Sequence, residues 1–135
     1  MREILFRGKT ELLDGSRAWA YGHLVASPYT GTACIYRFAG REAITGNHLT
    51  DVRVVNPNTV GQYTGLQDKN GVKIFEGDIV ICENYHGKVA GDIKYHLGTF
   101  YLACTRYSDE YLFNCDEIEV IGNIYDNPEL LEVTP

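Results

Sequence analysis

The chain of 135 residues has little proline (4), one methionine and one tryptophan. No apolar run approaches the roughly 20 residues that cross a bilayer as a helix. The opening Met1-Arg2-Glu3-Ile4-Leu5-Phe6 is too short and too charged for a signal peptide. The expectation is a cytoplasmic protein with no membrane span and no long coiled coil. Positive charge is missing from one end: residues 107–135 hold eight acids and no Lys or Arg, a net of −8. Residues 1–68 carry seven basic and six acidic groups, and residues 69–106 carry five and four, so each is +1 and the whole is −6. An acidic chain is a poor non-specific nucleic-acid binder, because that affinity rests on Lys and Arg neutralising phosphates. The acidic end suits either a basic partner surface or plain solvation.

Chemical motifs are also scarce. Cys34, Cys82, Cys104 and Cys115 are 48, 22 and 11 positions apart, with no C-x-x-C knuckle of the kind that organises zinc. Three sit in apolar company, so they read as reduced core or near-core residues. His23, His48, His86 and His96 are scattered. A hairpin that brought His86 to His96, with Cys82 near them, would be the one arrangement able to hold zinc. The Gly-rich stretch from Gly61 lacks the G-x-x-x-x-G-K-[ST] order that cradles phosphate. Glu76 and Asp78 lie on one side of a strand, where paired carboxylates share acid–base work, but no histidine or nucleophile accompanies them. No catalytic residue, metal site or cofactor is therefore expected.

What is present is strand material. The chain is 44% hydrophobic with 14 glycines and ten tyrosines, a composition suited to half-buried extended surfaces. Strands are expected at Glu3–Arg7, Trp19–Val25, Ala33–Phe38 and Val52–Val55, the last ended by Asn56-Pro57. Gly8–Ser16 reads as a turn and the polar Gly40–Leu49 as a loop. Pro57 to Val60 suits one helical turn. Further strands are expected at Val72–Phe75, Ile79–Cys82, Lys88–Tyr95, Thr99–Cys104, Tyr111–Phe113 and Ile118–Tyr125. Asn70-Gly71 is a hairpin cue of the type I′ kind, in which both central residues take positive φ. Gly77 lets the chain swing into the next strand, and Asp78 can accept amide hydrogen bonds there. Pro128–Glu132, with Asn127 as a cap, also looks like a helical turn.

Strands at near-ten-residue spacing between glycine turns predict a mostly β protein. The expected division is an N-terminal β subdomain over 1–58 and a small antiparallel, SH3-like barrel over 59–135 with a short C-terminal helical turn.

Two stretches carry a family resemblance: Val60-Gly61-Gln62-Tyr63-Thr64-Gly65-Leu66-Gln67-Asp68-Lys69-Asn70-Gly71-Val72-Lys73-Ile74-Phe75-Glu76-Gly77-Asp78-Ile79-Val80 and Val120-Ile121-Gly122-Asn123-Ile124-Tyr125-Asp126-Asn127-Pro128-Glu129-Leu130-Leu131. With the opening Arg2–Arg7, their order and separation resemble the YopX family of phage and prophage proteins. The resemblance implies an all-β fold in a bacterial host cell, and no substrate. Within those motifs Gly61, Gly65, Asn70, Gly71, Gly77 and Asp78 read as structural turn residues. Gln62, Tyr63, Asn123 and Tyr125 are the candidate contacts for a ligand or partner. The tyrosines serve either as stacking platforms or as seals of a small core with the hydroxyl at its rim.

Three functions compete. The first is a non-enzymatic interaction or self-assembly module, a homo-oligomer or one that binds a protein partner, because small β domains leave strand edges to be covered. The second is a nucleic-acid-binding small barrel, opposed by the net charge of −6. The third is a metal-assisted hydrolase built on Cys82, His86 and His96.

Overall fold

A computed structural model describes residues 1–41 and 48–133. The chain forms eleven strands among these residues: β1 (Phe6–Glu11), β2 (Arg17–Ser27), β3 (Thr32–Arg41), β4 (His48–Val55), β5 (Gly61–Gln67), β6 (Lys73–Phe75), β7 (Asp78–Asn84), β8 (Gly87–His96), β9 (Thr99–Cys104), β10 (Glu110–Tyr111) and β11 (Asp116–Asn123). One short helix, α1 (Leu130–Val133), follows. All pairing is antiparallel, in the orders β4-β3-β2-β1-β5-β6 and β10-β9-β8-β7-β11. No helix is long and apolar enough to cross a membrane among the described residues.

The chain divides into two compact units, Met1–Gln62 and Tyr63–Pro135. The first is a meander in which each strand pairs with the next. Its inner face buries Ala33, Ile35 and Val55, with Phe6, Ala20, Leu24 and Val60 packed around them. The sheet curls until the end of β4 returns to β1, where Asn56 N–H donates to Lys9 O at 2.8 Å. Gly8 permits that return, since a Cβ there would stand 2.8 Å from Val55 Cγ2. Asn56 also caps the 3-10 turn Pro57–Thr59 by accepting from Asn58 N–H.

Among the described residues the second unit has the larger core: Ile74, Val80, Cys82, Val89, Ile93, Leu102, Leu112 and Cys115. Ile79 is also fully buried, although it points to the opposite face of β7 from Val80. β7 is thus covered on both sides. The β8–β9 hairpin closes through Leu97 and Gly98, both at positive φ (50° and 79°), and the β8 backbone at Gly91 lies so close to Ala103 that no Cβ fits between them.

Several expectations need correction. The closed barrel is an open five-stranded sheet: its edge strands β10 and β11 do not pair with each other. Residues 8–11 continue β1, and the turn occupies only 12–16, where Asp14 accepts from Ser16 N–H. The polar stretch 40–49 is strand at 40–41 and 48–49, while its middle, 42–47, lies outside the described residues. Tyr111 ends a two-residue strand, and Leu112–Asn114 is a 3-10 turn. Asn70 does not take positive φ; only Gly71 does, at 83°. Asp68 O accepts from Gly71 N–H and Val72 O from Asp68 N–H, so the loop holds three residues and ends in a left-handed glycine.

Candidate functional site

The two motifs fold into a knot of backbone hydrogen bonds within the second unit. Asp68 is buried. One of its carboxylate oxygens accepts from Asn70 and Val72 N–H at 2.8 and 2.9 Å, and the other accepts from Val120 N–H at 3.0 Å, 52 positions away. Lys69 N–H adds a bond to Ile118 O. Burial works against ionisation of Asp68, but the amides of Val120, Val72 and Asn70, aided by Lys69, hold its carboxyl below the ordinary range.

The second fastening is at Gly77, whose φ of 86° favours a residue without Cβ. Gly77 N–H donates to Ile93 O, and Gly77 O accepts from Ile124 N–H, which ties the Glu76-Gly77-Asp78 step to β8 and to the end of β11. The Tyr125 ring lies 3.1 Å from where a Cβ on Gly77 would sit. Asp78 is buried, with its Oδ2 accepting from Phe75 N–H.

Asn123 is buried at the third fastening. Its Oδ1 accepts from Tyr125 and Asp126 N–H, and its Nδ2 donates to Asp126. Gly122 makes room for Asn127 Oδ1 and Leu130, which would stand 2.7 and 2.8 Å from a Cβ. The structure therefore brings Asn123 and Tyr125 together in one turn and leaves the Tyr125 side chain exposed. Tyr63 is buried, its ring 5.6 Å from Phe75 with Lys73 Nζ over its face. Gln62 is half-buried in β5. Gly65, like Gly71 and Gly77, has positive φ; Gly61 does not, and sits inside β5 opposite Arg7 rather than in a turn.

The zinc arrangement is not formed. His86 and His96 flank β8 at opposite ends, about 30 Å apart at 3.3 Å per residue. Cys82 is in the core, and no group of three or more His, Cys, Asp or Glu is placed to hold a metal ion among the described residues. His86 instead stacks on Tyr107, with centroids 4.4 Å apart. Sequence reasoning missed that Cys82 and Cys115 share the core with Cys104 packed against them. Its hydrogen bond to Cys115, together with burial, pushes the Cys82 thiol up.

What remains open to solvent lies elsewhere. Directly opposed residues in antiparallel strands share a face, so Lys9, Trp19, Arg7, Tyr21, His23, Tyr36, Val25, Cys34, Val52 and Val54 all stand on the outer face of the first unit's sheet. Of these, Tyr21, Val25, Tyr36, Val52 and Val54 are exposed, Val54 at 65%. Trp19 lies under both the Arg7 guanidinium (4.4 Å) and Lys9 Nζ (4.8 Å). The second unit has a cleft of about 330 Å³ lined by His96, Thr99, Tyr101, Asp109, Glu110 and Tyr111. Near it Asp92 is buried opposite Ile79; burial raises its carboxyl pKa, and Lys94 works against that rise.

These features define a class: a two-unit, all-β protein whose most recognisable motifs are internal fasteners. The profile of the family described as YopX protein matches residues 25–132, and the chain belongs to that family. The crystal structure of protein EF1440 from Enterococcus faecalis is similar in fold, with a TM-score of 0.58 at 23% identity over 97% of this chain and 99% of that one. No curated protein matches.

Proposed function

We propose that the chain is a non-enzymatic interaction module of a phage or prophage, working by self-association or by binding a protein partner. One observation carries this reading: the outer face of the first unit exposes Tyr21, Tyr36, Val25, Val52 and Val54 together on neighbouring strands. A sheet face of tyrosine and valine is the kind of surface that partners cover, and Tyr, Trp and Arg are enriched where binding energy concentrates. The family motifs support it from the other side, because Asp68, Asp78 and Asn123 are occupied in holding backbone amides. The test is light scattering of the purified chain with affinity capture from its bacterial host. Self-association, or a captured partner lost in a Tyr36→Ser, Val52→Ser variant, is expected. A strict monomer that captures nothing would defeat the reading.

A second reading has its own observation. Trp19 beneath Lys9, on the same face as Tyr21, resembles the pairing of aromatic and basic groups on which single-stranded nucleic acid stacks, although the Arg7 that also covers the ring is buried. Residues 1–62 carry seven basic against five acidic groups, so this unit does not share the chain's negative balance. Fluorescence anisotropy with short oligonucleotides at low salt decides it, and a flat isotherm dismisses it.

A further inference from the structure

The first unit's surface has an edge as well as a face. Strand edges offer unpaired N–H and C=O groups to any chain that can lie beside them, and proteins usually guard them. The second unit does so: β10 has two residues, and the outer side of β11 is taken by the 68–71 turn through Lys69 N–H to Ile118 O and Val120 N–H to Asp68. β4 is different. It has eight residues, HLTDVRVV, with neither lysine nor proline, and it stands last in its sheet. Its outer side makes no ladder among the described residues. Beyond the contact at Asn56 and Lys9, Thr10 and Glu11 of β1 and Val54 and Val55 of β4 line a crevice of about 260 Å³.

The strand is also complementary to itself. Asp51 and Arg53 flank Val52 and share the inner face, while Val52 shares the outer face with Val54. An antiparallel copy related by a two-fold axis at Val52 sets residue 51 of each chain opposite residue 53 of the other. Both cross-strand pairs are then Asp with Arg, and Val52 meets Val52. Moving the axis to residue 51 or 53 sets like charges opposite, which is unfavourable. Asp51 already pairs with Arg37 at 2.8 Å and with Arg53 at 3.3 Å of its own chain, so a second arginine extends an existing charge row.

We infer that β4 is a self-docking edge: two copies pair β4 to β4, antiparallel about Val52, into one continuous sheet. This rests on the interaction reading above and names the partner as a second copy of the chain. The dimer is isologous, because each copy contributes the same patch. It also joins the two exposed outer faces into one strip.

The test uses the full chain. Sedimentation equilibrium should show a dimer. Val52→Lys, at an exposed position, should keep the circular-dichroism spectrum while weakening association by about tenfold or more. For register, Val52→Cys should give a disulfide-linked dimer under mild oxidation, as facing strand positions allow. Tyr29→Cys, fully exposed on a turn, should not. A dimer indifferent to Val52→Lys, or equal cross-linking at both positions, overturns the inference. A monomer that still captures another polypeptide overturns β4 pairing alone, and a monomer that captures nothing overturns the underlying reading with it.

Discussion

The two units use one architecture in opposite ways. Tyr63–Pro135 carries thirteen acidic and five basic residues, yet it buries three of the acids, Asp68, Asp78 and Asp92. Two of those hold backbone amides, and Ile79 and Val80, on opposite faces of β7, are both fully buried. Met1–Gln62 is seven basic to five acidic, buries a core of three apolar residues among those described, and turns tyrosine and valine outward. The difference follows from topology. A meander closes each strand on its neighbour at little loop entropy, whereas setting β11 beside β7 requires contacts of long sequence separation that must be held by strong local fasteners. The lesson is that the most recognisable residues of this chain sit where the fold needs holding, and the surface without a motif is the one that turns tyrosine and valine outward.

The contrast breaks most clearly at matched strand positions. Ile79→Asp, with its side chain fully buried, should destabilise the second unit by about 4 kcal/mol or more, since an unpaired charge is left without water. Val54→Asp, 65% exposed in the first unit, should stay within about 0.5 kcal/mol. Urea denaturation measures both, and equal losses would dissolve the distinction. Asp68→Ala comes next, at about 3 kcal/mol, because the amides of Asn70, Val72 and Val120 lose their acceptor. Its sign with pH is set by the lowered folded pKa. The stabilisation is fully present above the ordinary value of 3.8 and fades as pH falls through the folded value. Denaturation midpoints followed from pH 6 downward should therefore converge for the variant and the parent as pH falls well below 3.8; parallel curves would show that the carboxylate is not the fastener. The smallest effect is at the glycines. Gly77→Ala, at φ 86° with the Tyr125 ring 3.1 Å from its Cβ, should cost about 2 kcal/mol. Gly15→Ala, at φ 83° in open space, should cost nearer 1 kcal/mol in the same thermal-melt comparison.

Much of the strand inventory was legible. Alternation and glycine punctuation located β2, β3, β7, β8 and β9 to within a few residues, because strand period is a local property. Errors gathered where the local signal was shared between states. Gly8-Lys9-Thr10 looks like a turn but pairs with Ala18–Ala20, and its glycine serves the approach of Val55. Asn70-Gly71 names a reversal without saying how many residues turn. Site residues were harder. Tyr63 and Asn123 present chemistry suited to a ligand, and only packing reveals that one lies against Phe75 and the other caps a turn.

By itself the sequence determined the all-β character, the family, the punctuated ends of most strands and the charge imbalance between the halves, because these reside in composition and short-range pattern. Tertiary structure alone decided which strands became neighbours, that Asp68 reaches an amide 52 residues on, that His86 and His96 stand apart, and that β4 comes last in its sheet among the described residues. Those outcomes depend on how separate hairpins curl and stack. A period-two pattern tells a side chain which face to take and carries no information about the strand it will face.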